Sequence, residues 1–155
     1  MLVVVAVLGM TLMWIYALSG LARREPPDRL DGRAFAEEAE QRCAATRARL
    51  DRLPQVTDDS PPAELHAVVD DANGELRDML ADLRRLGPAD GDDARLVGLW
   101  LDDWDTYLAD REDWANKVGR GVVEPFTESD RDGDPISRTV DNFAEVNDMA
   151  SCEAL

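Results

Sequence analysis

The chain has 155 residues, with 33 acidic against 17 basic side chains and a net charge of −16. That length fits one domain with an appendage. So acidic a surface repels phosphate backbones and excludes nucleic-acid binding of the ordinary basic kind; it also gains nothing from anionic headgroups, so membrane attachment requires an apolar segment.

Such a segment leads the chain. Residues 1–21, MLVVVAVLGMTLMWIYALSGL, carry no charged side chain. At about 1.5 Å per helical residue they reach about 30 Å, the thickness of a bilayer's hydrocarbon layer. Trp14 and Tyr16 sit towards the far end, where amphipathic rings favour the headgroup boundary, and Arg23 and Arg24 follow. The run predicts a single-pass transmembrane anchor. The alternative is a cleaved signal peptide, whose apolar stretch is normally about 7–15 residues behind a basic start. Here the run is longer and nothing basic precedes it, although Gly20-Leu21-Ala22 offers small residues to a peptidase. LSGL has the outline of a lipoprotein box, but Leu21 stands where that box needs cysteine.

Residues 22–32, ARREPPDRLDG, contain two prolines and a glycine and read as a juxtamembrane stalk. Residues 33–155 then read as one helical bundle domain. A first helix is expected from about Arg33 to Leu53, with Asp31 as its cap and Pro54 as its stop. Its stripe of Ala36, Ala39, Cys43, Thr46, Leu50 and Leu53 recurs at steps of three and four. A second helix starts with Ser60 as cap and Pro61 in the first turn, and Gly87-Pro88 ends it. Leu65, Val69, Ala72, Leu76, Met79, Leu83 and Leu86 keep one phase across Asn73-Gly74, so that pair is read as helix at a cost of about 1 kcal/mol for the glycine.

The third helix follows GPADGDD, with a cap near Asp90 or Asp92, and ends at residues 119–121. Val97, Trp100, Leu101, Trp104, Tyr107, Leu108, Trp114, Ala115 and Val118 form one wide apolar face. So broad a face marks a central helix covered from two sides; the rival reading is an exposed aromatic groove using Trp100, Trp104, Tyr107, Arg111 and Trp114 to hold a partner. Asp102, Asp103, Asp105, Asp110, Glu112 and Asp113 fall mostly on the other arc and read as a solvated face. Beyond it, Val122, Val123 and Phe126 before DRDG, with Ile136 after, read as a small β-hairpin. A last helix is expected from roughly Arg138 to Ser151, burying Val140, Phe143, Ala144 and Met149. The fold class expected is mainly α: an N-terminal membrane helix and an antiparallel three- to four-helix bundle, with a hairpin before the last helix.

Membrane orientation draws two opposed arguments. Arg23, Arg24, Arg29 and Arg33 follow the span and no basic side chain precedes it, which places the domain in the cytoplasm by the positive-inside tendency. Cys43 and Cys152 argue for the other side. A bridge between them would close a loop of about 110 residues, stabilise by roughly 4–5 kcal/mol and pin the C-terminus, and disulfides persist outside the cytosol. Two unrelated buried thiols are the alternative. The expectation adopted is the bridge, with the domain extracytoplasmic.

Sites for chemistry are sparse. Glu128, Asp130, Asp132, Gly133 and Asp134 alternate as in a calcium loop, but the position for the closing glutamate holds Thr139 and Pro135 replaces an aliphatic residue, so a turn tip is expected. His66, the sole histidine, lies beside the second helix's stripe, reads as a boundary or surface position, and offers no zinc spacing with two distant cysteines. Arg111 is the one cation within reach of the third helix's stripe and should pair with a carboxylate on a neighbouring helix. Adjacent acids such as Asp102-Asp103 diverge on a helix and do not converge on one substrate atom. No phosphate loop, serine elbow or metalloprotease helix pair is present.

WLDDWDTYLADREDWA, followed by PIS, VDNFAEVNDM and SC, resembles a group of small, uncharacterised actinobacterial proteins with one membrane segment and a helical extracytoplasmic domain. LARREPPDRLDGRAF is similar as well, so the likeness covers most of the chain. It departs at MASC, where the group has proline before the serine, and in a very short tail. The group has no assigned activity, so the resemblance implies an architecture and no catalytic or cofactor chemistry. The expected function is a membrane-anchored, non-enzymatic interaction or scaffold module of the cell envelope with a protein partner; the alternative is a ligand- or cation-binding sensor domain.

Overall fold

The computed structural model describes residues 7, 9–11, 13–16, 26–57, 59–88, 91–122 and 124–155. Residues 7, 9–11 and 13–16 are helical; the rest of the expected anchor, and residues 22–25 of the stalk, lie outside the described residues. Among the described residues no helix is long and apolar enough to cross a membrane.

The packed unit holds α1 (Arg33–Leu50), α2 (Pro62–Leu86), α3 (Gly91–Gly119), a hairpin of β1 (Asp130–Arg131) and β2 (Asp134–Pro135), α4 (Ile136–Val146), and a terminal 3-10 turn, Ala150–Cys152. α2 packs against both α1 and α3, α4 packs against α3, and the terminal turn closes between α4 and α1. Arg77 pairs with Glu112, whereas Arg84, further along α2, pairs with Asp105, earlier on α3, so α2 and α3 are antiparallel.

Each stripe buries as its spacing requires. α1 contributes Ala36, Ala39, Cys43 and Thr46, with Phe35 beside them. These are mostly small side chains, and the space they leave is taken by Trp100 of α3. Its ring meets Phe35 edge-on at 6.2 Å and stacks on Phe143 of α4 at 5.1 Å. α2 buries Ala72, Leu76, Met79 and Leu83, and also Asn73 and Leu80. The wider face follows from contact with helices on two sides.

α2 runs unbroken through Asn73-Gly74. A Cβ added at Gly74 meets nothing within 4 Å. Gly74→Ala is therefore expected to stabilise the domain by about 1 kcal/mol, since alanine restricts the unfolded chain and favours helix. Urea denaturation of the two chains checks this; a less stable variant would mean that the backbone at Gly74 is not ordinary helix.

Helix starts differ from expectation in a consistent way. Asp31 does not cap α1. Instead the Asp93 carboxylate, from the first turn of α3, accepts from the Asp31 and Gly32 backbone N–H groups at 2.9 and 3.0 Å. Ser60 does not cap α2 either: its Oγ accepts from Thr57 N–H, and Pro61 precedes the helix with no side-chain cap. The suggested cap Asp90 lies outside the described residues. α4 is capped by Glu128, whose carboxylate accepts from Ser137 N–H at 2.9 Å. The first helix also stops at Leu50 rather than Leu53, because Arg52 and Leu53 turn tightly back onto Arg49 and Leu50.

Part of the expected stalk packs with the bundle. Leu30 is buried, its N–H donates to Asn147 Oδ1 at 2.9 Å, and Asn147 Nδ2 donates to the Asp28 carbonyl at 3.0 Å. The packed unit thus begins ahead of Arg33, because the start of the domain is tied to the end of α4.

The hairpin is smaller than expected and displaced. Strand pairs are Asp130 with Pro135 and Arg131 with Asp134, around Asp132 (φ 56°) and Gly133 (φ 92°), the pair of positive φ angles that a two-residue hairpin turn needs. Val122 and Phe126 are not strand residues, and Val123 lies outside the described residues. Phe126 sets its ring edge against Tyr107 and Trp114 instead. Ile136 opens α4 and is buried.

α4 ends at Val146, earlier than the expected Ser151. Asp148 takes φ 60°, its N–H bonds the Glu145 carbonyl and Met149 N–H bonds that of Ala144, a Schellman closure with aspartate in the place glycine usually takes. The chain then turns back so that Met149 and Cys152 are buried. Cys43 and Cys152 form a disulfide. Around it, Glu40 accepts from Ser151 N–H and Oγ at 2.9 and 2.6 Å, Arg47 donates to the Ser151 carbonyl at 2.7 Å, and Asp141 accepts from Ala154 N–H at 2.7 Å. Tyr107 reaches from α3 to hydrogen-bond the Leu155 backbone oxygen.

Candidate functional site

The aromatic run on α3 is core. Trp100, Trp104 and Tyr107 are each buried, so they do not form the exposed groove of the rival reading. Trp100 Nε1 donates to the Val140 carbonyl at 3.2 Å. Trp114 is half-buried and donates to the Glu124 carbonyl at 2.7 Å, which holds the loop after α3 against the helix. Arg111 finds an amide rather than the expected carboxylate: its Nε donates to Asn73 Oδ1 at 2.9 Å, and its guanidinium lies 5.7 Å from the Tyr107 ring centre. Trp104 Nε1, Asn73 Nδ2 and His66 Nδ1 are buried with no hydrogen-bond partner. His66 packs against Gly119, where an added Cβ would stand 3.1 Å from the imidazole.

The acidic hairpin is already engaged. Glu128 caps α4 and Asp134 pairs with Arg138. Among the described residues no group of three or more histidine, cysteine, aspartate or glutamate side chains is placed to hold a metal ion.

A different constellation stands out, and it centres on an acid assigned to the solvated arc. Asp103 is 3% exposed. It lies three residues after Trp100 and four before Tyr107, the same spacing as the apolar stripe, and that spacing was the signal for its burial. Its ion-pair partner is Arg131, from the hairpin. Asp103 and Arg131 line a cavity of about 160 Å³ with Asp28, Leu96, Leu99, Trp100, Thr139 and Phe143. Leu99, on the rim, is 46% exposed. The floor is therefore aromatic and aliphatic, while the polar groups come from three separate parts of the chain: α3, the hairpin with α4, and the segment ahead of α1.

Burial raises the Asp103 carboxyl above its ordinary value; Arg131 pulls it back and Asp102 adds to the rise. A raised folded value means that the folded state binds this proton more tightly than the unfolded chain does. The associated stability is complete below the ordinary carboxylate value, near pH 4, and is lost as pH rises through the raised value. Asp103→Asn, neutral throughout, should thus gain stability relative to the native chain as the pH rises above about 4. Urea midpoints at several pH values check this, and a difference that does not vary with pH would contradict it.

Fold and cavity together define a small disulfide-closed helical bundle with a cleft lined by an acid, an arginine and apolar side chains. No protein family, curated protein or solved structure matches the chain.

Proposed function

We propose that this chain is a membrane-anchored, non-enzymatic interaction module of the cell envelope. Residues 1–21 provide the anchor, and the bundle presents the Leu99–Asp103 cleft to a protein partner on the extracytoplasmic side. The observation that carries this reading is the cleft itself: an exposed leucine rim over a buried carboxylate, mounted on helices that a disulfide holds together. The disulfide supports the extracytoplasmic assignment, and the uncharged leading run supports the anchor. The resemblance to actinobacterial single-pass proteins supports the same architecture. Acid–base catalysis would need two titratable groups meeting at a substrate atom, whereas the buried carboxylate here meets a guanidinium.

Three measurements test this. The full chain should resist carbonate extraction from membranes, and a chain lacking residues 1–21 should not. Lys117 is the only lysine, so an amine reagent that does not cross membranes should label the native chain in intact cells more than Lys117→Arg; equal labelling would place the domain inside. A photo-crosslinking side chain at position 99 should give a defined adduct in cells that the same probe at exposed Glu38, on α1, does not. Identical patterns at the two positions would remove the cleft as the binding face.

The alternative is a sensor for a small ligand, and the cavity volume favours it only for very small groups. Pockets that hold drug-sized molecules are about 300–1,000 Å³. For a calcium sensor the hairpin carboxylates would have to leave α4 and Arg138, so millimolar calcium is expected to leave the melting temperature unchanged.

A further inference from the structure

We propose that the cleft is a receptor for an arginine side chain carried by a partner polypeptide, and that Arg131 is its built-in occupant. This rests on the cleft being the binding face proposed above, and it names the group recognised there.

The chemistry starts from Asp103. The Asp103 side chain is 5% exposed, and a buried carboxylate is held only by a cation or by hydrogen-bond donors. Among the described residues its one partner is Arg131, whose own side chain is 42% exposed. That arginine stands in a strand of two residues beside a two-residue turn, with all four strand positions exposed to solvent. A short, solvent-exposed hairpin thus supplies the whole of the charge balance for a buried acid. The Arg131 guanidinium, at the cavity wall, shows that a guanidinium reaches the Asp103 carboxylate from this side.

The walls favour guanidinium over ammonium. Leu96, Leu99, Trp100 and Phe143 present aliphatic and aromatic surface, against which a planar, weakly hydrated guanidinium packs better than a compact ammonium. Asp28 and Thr139 provide further acceptors at the same cavity. Beside Arg131, which lines it, the cavity keeps about 160 Å³, enough for one long side chain and not for the peptide that carries it. The net charge of −16 draws cations in and disfavours free arginine, whose α-carboxylate would meet that acidic surface.

If Arg131 occupies the site most of the time, an incoming arginine sees an affinity reduced by the fraction of time the site is open. Removing Arg131 should therefore tighten binding rather than abolish it, which no merely structural ion pair predicts. The test uses the full chain in detergent micelles at pH 8, on the alkaline side that favours the charged Asp103 carboxylate. N-acetyl-arginine methylamide is titrated while the Trp100 indole N–H resonance is followed. Arg131→Ala should bind saturably, about tenfold tighter than the native chain if Arg131 holds the site about nine-tenths of the time. Asp103→Asn added to Arg131→Ala should remove the binding. The citrulline analogue, equal in shape but neutral, should not bind, and the lysine analogue should bind more weakly. Free arginine binding as tightly as the capped form would replace the polypeptide source with a metabolite. Arg131→Gln, which keeps the length of the side chain without its charge, serves where Arg131→Ala loses its native spectrum. Absence of binding in a folded Arg131 variant, or equal binding of arginine and citrulline analogues, overturns the proposal. A defined adduct at position 99 alongside such a failure would leave the interaction module standing and reject only the arginine.

Discussion

Replacing Cys43 and Cys152 together by serine is expected to lower the unfolding free energy by roughly 4–5 kcal/mol. The melting temperature should fall on the order of 10–20 °C. The two residues are 109 apart in sequence, and a bridge that closes so long a loop removes many conformations from the unfolded chain. Both residues are fully buried, so the variant also places two hydroxyls in an apolar setting. The tail they hold, from Met149 onward, adds further bonds through Glu40, Arg47, Tyr107 and Asp141. Those bonds reach a segment that would otherwise fray. Thermal and urea unfolding of the native chain and the double variant measure the difference. A loss under about 1 kcal/mol would show that the polar contacts alone seat the tail, and that the bridge merely records their geometry.

Trp100→Ala comes next, with an expected cost of about 3–5 kcal/mol. Trp100 is 1% exposed, lies between Phe35 and Phe143, and donates its indole N–H to the Val140 carbonyl. Its removal leaves a void where α1, with its alanines, has nothing to collapse into it. The Val140 carbonyl loses a donor as well. Trp114→Ala is the comparison, because Trp114 is half-buried and anchors only the loop through Glu124; its cost should stay within about 1–2 kcal/mol. Trp100→Phe should fall between, since it keeps the stacking and loses the hydrogen bond. Equal losses for Trp100→Ala and Trp114→Ala would mean that the two indoles do not have the different environments described here. In a chain that also lacks the disulfide, Trp100→Ala should leave too little stability for a folded state, because the two losses together approach the whole of the roughly 5–15 kcal/mol that holds an ordinary domain.

How much of this was legible beforehand depended on whether the signal was local. Helix α2 kept its apolar phase across Gly74, and the structure carries it straight through. The face of α3 read as core is core at Val97, Trp100, Leu101, Trp104, Tyr107, Leu108, Ala115 and Val118. The pairing of Cys43 with Cys152 is present. The hairpin was legible only at its turn, because Asp-Gly favours the required backbone angles whatever surrounds it. The hydrophobic residues that seemed to complete its strands were needed elsewhere: Phe126 against Tyr107 and Trp114, and Ile136 in the first turn of α4.

The cleft was the part least visible. Asp103 shares the spacing of the residues around it, but a carboxylate on an apolar stripe is sustained only if a cation arrives from outside the helix. That cation, Arg131, is 28 positions further on and was assigned to a turn tip. The capping pattern failed for the same reason. Local residues Asp31 and Ser60 had the right chemistry for caps, yet Asp93, brought in from α3, takes the N–H groups ahead of α1, and Ser60 accepts from Thr57 N–H instead.

Amino-acid order by itself determined the rods and most of the buried face of each, because a three-and-four repeat acts within one or two turns of chain. Only the tertiary structure decided which carboxylate caps which helix, which buried acid meets which arginine and where the tail is clasped. Those choices depend on distances between elements, and a helix's own periodicity specifies the face it turns inward but not the side chain that meets it there.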